Sequence, residues 1–106
     1  MLRPTNHRRS KLQEARTAKD FGGRTTPGSG NQWHSKADVR TDTELIECKT
    51  TIHASYSLKS DDLRKLWGQA LLEDRIPVFQ IDFEQGGVTC VVLDYDDYLS
   101  MRLNGS

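Results

Sequence analysis

Three side chains in one short stretch, Asp38, Glu47 and Lys49, could together hydrolyse a phosphodiester bond. Successive side chains of a β-strand point to opposite faces, so Glu47 and Lys49 would share one face of a strand. Two carboxylates can hold a divalent cation, and an ammonium beside them can stabilise charge that develops at a phosphate. The pattern predicts a metal-dependent nuclease site with Mg²⁺ as the cofactor, for which Mn²⁺ could substitute.

Two short strands are expected to bring these side chains together. The run from Ala37 to Arg40 predicts one strand, and residues 45–51 predict the next. Residues 41–43 between them are typical of a hairpin turn. In the register of such a hairpin Asp38 arrives near Glu47. The charged face should then border a cleft, while the alternate face, with Ile46 and Cys48, goes to the core.

A helix is expected to precede these strands. Ser10 and Gln13 form an S-x-x-Q capping box at its start, and Gly22-Gly23 would end it. Its apolar stripe is predicted to consist of Leu12, Ala15, Ala18 and Phe21. Glu14 borders that stripe, so its carboxyl could face a cleft. Residues 1–9 are basic and unpatterned, which predicts a flexible arm ahead of a single domain over residues 10–106.

The second half predicts a helix followed by two strands. The helix is expected at about residues 59–73, capped by Ser57 or Ser60. Its apolar stripe is formed by Leu63, Leu66, Trp67, Ala70 and Leu71. Strands are expected at 76–83 and 88–93, joined by a loop at 85–87, with a short helix from Asp94. This order predicts an α/β fold in which helices cover a mixed central sheet.

The composition of the chain bears on its partners and on the compartment in which it acts. Residues 1–40 hold nine Lys and Arg against three acids, whereas residues 41–106 hold six against twelve. This asymmetry favours a polyanion-facing end, although the two halves could also mix in the folded chain. Cys48 and Cys90 lie in apolar runs and are expected to be buried free thiols, which suits a reducing compartment. Neither a membrane span nor a signal peptide is predicted, so we expect a cytoplasmic protein without membrane partners.

Residues 24–35 form a Gly-, Ser- and Pro-rich segment with Pro27-Gly28-Ser29-Gly30 at its centre. Its polar groups and backbone amides could contact phosphates, although a plain surface loop remains an alternative. Candidate DNA-binding residues from the arm, the first helix and this segment are Arg8, Arg9, Lys11, Arg24, Gly28, Ser29, Gly30 and Lys36.

The chain resembles the PD-(D/E)XK nucleases, and among them the archaeal-type Holliday junction resolvases and their phage relatives. The resemblance is carried by residues 10–14, Gly22-Gly23, residues 27–30, Lys36 to Val39 and Leu45 to Thr51. Ala37 stands where the family name has proline. The resemblance implies an αβββαβ core with a mixed central sheet flanked by helices, the fold of restriction endonucleases.

The resemblance also implies residue roles. Asp38 and Glu47 would bind the metal with the backbone carbonyl of Cys48. Lys49 would act as general base or stabilise the transition state, and Glu14 and Ser29 would assist.

The resemblance further implies that the substrate is branched DNA, namely a four-way junction, which is cut by paired symmetric nicks. It also implies a homodimer, because a two-fold symmetric junction needs two active sites. The expected setting is the nucleoid or a phage-infected host cytoplasm. Two alternatives remain open: a nuclease with the same site that acts on flaps, nicks or single strands, and a non-catalytic DNA-binding protein on this scaffold.

Overall fold

The computed structural model describes residues 6–26 and 37–105. Three helices and five strands follow in this order: α1 (Asn6–Phe21), β1 (Arg24–Thr25), β2 (Val39–Arg40), β3 (Glu44–Thr51), α2 (Ser60–Leu72), β4 (Ile76–Phe83), β5 (Val88–Leu93) and α3 (Tyr95–Asn104). None of the described helices is both long enough and apolar enough to cross a bilayer.

The five strands form one mixed sheet in the order β1-β2-β3-β4-β5. β3 and β4 pair in parallel, from Glu44 opposite Ile76 to Thr51 opposite Phe83, whereas the other neighbouring strands are antiparallel. Parallel neighbours require a crossover connection, and α2 supplies it. The predicted α/β fold with a mixed, helix-flanked sheet is confirmed at this level.

Each face of the sheet carries its own apolar cluster. Under α2 the cluster consists of Ala37, Leu45, Leu66, Ala70, Phe79 and Ile81. Under α1 it consists of Ala18, Val39, Ile46, Cys48 and Val78. Because the side chains of β3 alternate between these faces, the face that carries Glu47 and Lys49 is not simply a cleft. Leu45 completes the core beneath α2 on that same face.

The first helix differs from its prediction in two respects. It begins at Asn6 rather than Ser10, so residues 6–9 are helical and do not belong to an arm. Its buried face is largely polar, with Arg9, Gln13, Glu14 and Thr17 beside Ala18, whereas Leu12 is 58% exposed. The predicted apolar stripe was therefore wrong, apart from Ala18. The sheet beneath offers polar partners: Gln13 Nε2 donates to the Lys49 carbonyl at 2.8 Å, and Gln80 Nε2 donates to Thr17 Oγ1 at 2.9 Å.

Two glycines end α1 as predicted. Gly22 has a φ of 69°, the left-handed conformation that glycine adopts without steric cost. A side chain on Gly23 would collide with the Arg40 carbonyl, so this glycine allows the chain to pass close to β2. The chain then forms β1, a two-residue strand that the sequence did not predict.

The second helix follows its prediction closely. Leu66 and Ala70 are buried, but Leu71 is 82% exposed and does not belong to the core-facing stripe. The N-cap is Lys59, without a side-chain cap, so the predicted Ser57 or Ser60 cap was wrong. Acids in the first turn, including Asp62, suit the helix dipole instead.

The last elements match their predictions. The bounds of β4 and β5 are those expected, and the residues between the strands form the turn. Asp94 caps α3 by accepting from the backbone N–H groups of Asp96 and Asp97, and α3 continues to Asn104. None of the ten residues of α3, all of which the structure describes, is buried. Cys48 is buried as predicted, whereas Cys90 is half-buried, and both are free thiols.

Candidate active site

Asp38 lies immediately before β2 and is buried against β3. Its backbone N–H donates to the Ile46 carbonyl at 3.0 Å. Its Oδ2 accepts from the backbone N–H of Cys48 at 2.9 Å. Ahead of the first residue of β2, the Asp38 side chain therefore replaces a backbone carbonyl as the acceptor for β3. This bond fixes the carboxylate at the edge of β3.

The backbone of Cys48 points to the same edge. In a strand, the N–H and the C=O of one residue are directed toward the same neighbouring strand. Since the Cys48 N–H donates to Asp38, the Cys48 carbonyl is directed to the Asp38 side as well. The thiol lies on the opposite, α1 face, where burial and the nearby Asp38 raise its pKa to about 12. The side chain of Cys48 is therefore an inert part of the core.

Glu47 and Lys49 lie together on the α2 face of β3, with Lys49 Nζ 3.3 Å from Glu47 Oε2. Burial is the main cause that raises the pKa of Glu47 to about 7, the negative charge of Asp38 adds to it, and the charge and hydrogen bond of Lys49 offset part of the rise. Burial lowers the pKa of Lys49, but its pair with Glu47 raises it, and the net direction is upward. Lys49 is thus an ammonium at neutral pH, whereas Glu47 titrates there.

Glu14 reaches the same region from α1. Its side chain is buried, and the Lys11 Nζ lies 3.5 Å from its Oε1. Its charge contributes to the raised pKa of Glu47, which places it within electrostatic reach of that carboxyl. Four of the five predicted catalytic residues are thereby brought together, and the fifth, Ser29, lies outside the described residues.

A cavity of about 70 Å³ opens beside Glu47 and Lys49. Its other walls come from α2 and β4, namely Asp62, Lys65, Leu66, Gln69 and Phe79. Sequence reasoning missed the α2 side of this cavity. The signal available was the spacing of 62, 65 and 69, which lie on one side of a helix next to the buried stripe.

Tyr56 is a further residue that the sequence did not indicate. Its ring packs near Phe79, with 6.2 Å between the ring centroids. Burial raises the pKa of its phenol, while Lys49 lowers it and Asp62 raises it, so the phenol lies within reach of those charges. It lies in the connection between β3 and α2, where no periodic pattern marks it.

The donors near Glu47 are oxygen atoms, which limits the kinds of metal ion that they could bind. Within residues 6–26 and 37–105, no group of three or more His, Cys, Asp or Glu side chains is arranged to hold one. Mg²⁺, however, is commonly bound by one or two carboxylates and completed by waters. Asp38, Glu47 and the Cys48 carbonyl form a donor set of that kind. The pKa of Glu47 is raised first by burial and then by the charge of Asp38, and a cation would relieve the second effect.

The predicted DNA-binding residues divide into three groups. Arg8 and Arg24 are exposed, and Lys11 is half-exposed beside Glu14. Arg9 is buried, with its Nε 2.9 Å from Glu84 Oε2, so it does not present its guanidinium to a partner. The other four, Gly28, Ser29, Gly30 and Lys36, lie outside the described residues.

The two halves of the chain mix their charges in part. Arg9 and Arg16 of α1 pair with Glu84 and Asp82, and Arg40 pairs with Glu73 through two hydrogen bonds of 2.8 Å each. The asymmetry along the sequence is therefore partly cancelled inside the fold. It does not by itself indicate a basic surface.

No family model matches the sequence, and no curated protein matches it either.

Proposed function

We propose that this chain is a Mg²⁺-dependent endonuclease of the PD-(D/E)XK group that cuts branched DNA, with the four-way junction as its substrate. One observation carries the proposal. Asp38, Glu47 and Lys49, which the sequence pattern and its context predict to share a site, lie together at the edge of β3 beside the start of β2. Burial and the charge of Asp38 raise the pKa of Glu47 to about 7. Perturbed carboxyls beside a cavity are typical of functional sites.

Asp38 and Glu47 would hold the cation, with the Cys48 carbonyl as a third protein ligand. Asp38 would use the carboxylate oxygen that does not accept from Cys48 N–H. Bound Mg²⁺ supplies a Lewis acid for the phosphoryl oxygen and lowers the pKa of a water. Binding also requires Glu47 to lose its proton, and because its raised pKa disfavours that loss, the affinity for the cation should rise with pH.

Lys49 would act as a cation rather than as a base. Its ammonium is retained at neutral pH because Glu47 stabilises it. In hydrolysis a water gives up a proton to the solvent as its oxygen forms a bond to phosphorus, the bond to the leaving oxygen breaks, and that oxygen takes up a proton from the solvent. The Lys49 ammonium can stabilise the charge gained by the phosphate and donate a hydrogen bond to it. Glu14 would hold Lys11 near the site and add negative charge beside the cation.

A homodimer would supply the two sites that paired cuts require. Both edges of β4 pair with neighbouring strands, β3 and β5, so β4 cannot form a strand-edge contact between two copies. The candidate surface reduces to the outer strand β5 and to α3. Its exposed apolar side chains include Val88, Val91, Tyr95, Tyr98 and Met101.

Two substitutions test the assigned roles. Asp38→Asn and Glu47→Gln each remove a ligand charge and should lower cleavage of a four-way junction at least a hundredfold. Junction binding should stay intact or tighten, because less negative charge faces the DNA. Asp42→Asn, at the exposed hairpin turn, is the matched control and should cut normally.

The measurement is single-turnover cleavage beside equilibrium binding in EDTA. Loss of binding in the first two variants, with cleavage reduced in proportion, would contradict the assigned roles.

A further inference from the structure

The side of α2 that faces the cavity carries three polar residues. Asp62, Lys65 and Gln69 line it opposite Glu47 and Lys49. The spacing of three and four residues places them in one row along the helix. The cavity therefore has a second wall, whose groups take no part in the site as described so far.

Lys65 differs from three other cations between residues 49 and 75, each of which forms an ion pair. Lys49 pairs with Glu47, Arg64 with Asp61, and Arg75 with Glu73. Among the described residues Lys65 forms no ion pair, and its side chain is exposed. An unpaired ammonium on a long, flexible side chain at the rim of a cavity is suited to a charged ligand.

The other two residues in the row are less suited to an anion. Gln69 Nε2 donates to Glu73 Oε2 at 3.2 Å and is thereby directed to the end of α2. Asp62 is an acid in the first turn of α2 and would repel a phosphate. Lys65 is the group in this row that attracts one.

We propose that Lys65 is a substrate-binding residue, whose ammonium contacts a DNA phosphate neighbouring the one that lies at Glu47 and Lys49. This inference rests on the proposed nuclease function. A DNA strand crossing the cavity would then be held by residues of β3 at the phosphate to be cut. Lys65 of α2 would hold it at the next phosphate. Such a contact positions the strand but carries no base information.

The test compares Lys65→Ala with Arg64→Ala, the adjacent exposed cation of α2 that does not line the cavity. Binding of a synthetic four-way junction is measured in EDTA over a series of salt concentrations. One lost phosphate contact should reduce the slope of log K against log salt by about 0.9, which is about an eightfold loss of affinity at 0.1 M salt. Lys65→Arg should restore the slope, and Arg64→Ala should leave it unchanged.

Cleavage gives a second readout. Lys65→Ala should raise KM while kcat stays within about twofold, because the contact is made before and during the chemical step. An unchanged salt slope in Lys65→Ala, or an equal change in Arg64→Ala, would overturn the inference.

The experiments distinguish failure of the Lys65 contact from failure of the proposed nuclease activity. If the wild-type chain cuts DNA and Lys65→Ala binds it with an unchanged slope, this inference alone is wrong. If the wild-type chain cuts no DNA but the slope falls, the contact stands and the nuclease activity is wrong. Failure of the wild-type chain to bind any DNA would overturn both.

Discussion

The carboxyl of Glu47 is subject to opposing effects, burial and the charge of Asp38 on one side and the charge of Lys49 on the other. It is partly buried, it faces the charge of Asp38, and Lys49 compensates only in part, so its pKa rises from 4.5 to about 7. A core position would not keep such a carboxyl, because an apolar side chain would pack there without cost. The proposed cation, shared by both carboxylates, would stabilise this charge.

The raised pKa of Glu47 predicts that the stability of the fold depends on pH. Between pH 4.5 and about 7, the folded metal-free chain keeps a proton on Glu47 that the unfolded chain has lost. The free energy of unfolding should therefore fall as pH rises through that window, by at most about 3 kcal/mol. Glu47→Gln should remove this fall, whereas the exposed Asp42→Asn should keep it.

Urea unfolding in EDTA at pH 5 and pH 8 measures the difference. The same change between the two pH values in wild-type and Glu47→Gln protein would contradict the raised pKa. Adding Mg²⁺ should then stabilise the wild-type chain more at pH 8 than at pH 6, because the ligand must be deprotonated.

The site was predictable from the sequence where it depends on local geometry. Strand alternation placed Glu47 and Lys49 on one face, and the hairpin brought Asp38 beside them. Lys65 and Tyr56 were not predictable, because they reach the site only after α2 crosses from β3 to β4. Arg9 was misassigned because its partner, Glu84, lies far away in the sequence.

At the scale of the elements, the docking of α1 is the unusual feature. Its buried face relies on hydrogen bonds and ion pairs, with Ala18 as its apolar contact in the core. Hydrophobic spacing therefore predicted the wrong face for α1, whereas it predicted β4 and β5 correctly. The difference is physical: β4 is buried between two strands, whereas α1 meets the apolar cluster of the sheet through Ala18 and polar partners through its other buried residues.

The buried pair of Thr17 and Gln80 offers a test of this docking. Thr17→Val keeps the shape of the side chain but leaves the Gln80 amide buried without its acceptor. The free energy of unfolding should fall by about 1–3 kcal/mol. Thr89→Val removes the bond from Thr89 Oγ1 to Asp82 at an exposed position, and should cost less than about 0.5 kcal/mol.

Urea unfolding of the two variants gives the comparison. Equally small losses of unfolding free energy in both variants would show that the polar contacts under α1 are solvated and do not hold the helix in place.

At the scale of the whole molecule, β5 is an edge strand of the sheet, and among residues 6–26 and 37–105 no further strand pairs with its outer side. The acidic site lies at the β2 edge of β3, whereas the apolar residues of β5 and α3 are exposed at the other side of the sheet. A two-fold contact through β5 and α3 would join two chains while leaving both sites open. Such an assembly would match the symmetry of a four-way junction.

The most direct measurement is cleavage of a synthetic four-way junction by the wild-type chain, beside matched linear duplex, flap and single strand, with Mg²⁺, Mn²⁺ or EDTA. We expect paired symmetric cuts in the junction with either metal, and none in EDTA. Preferential cutting of flaps or single strands would keep the site and change the substrate. Absence of cutting on all four DNAs in the presence of metal, with junction binding retained, would contradict the proposed nuclease.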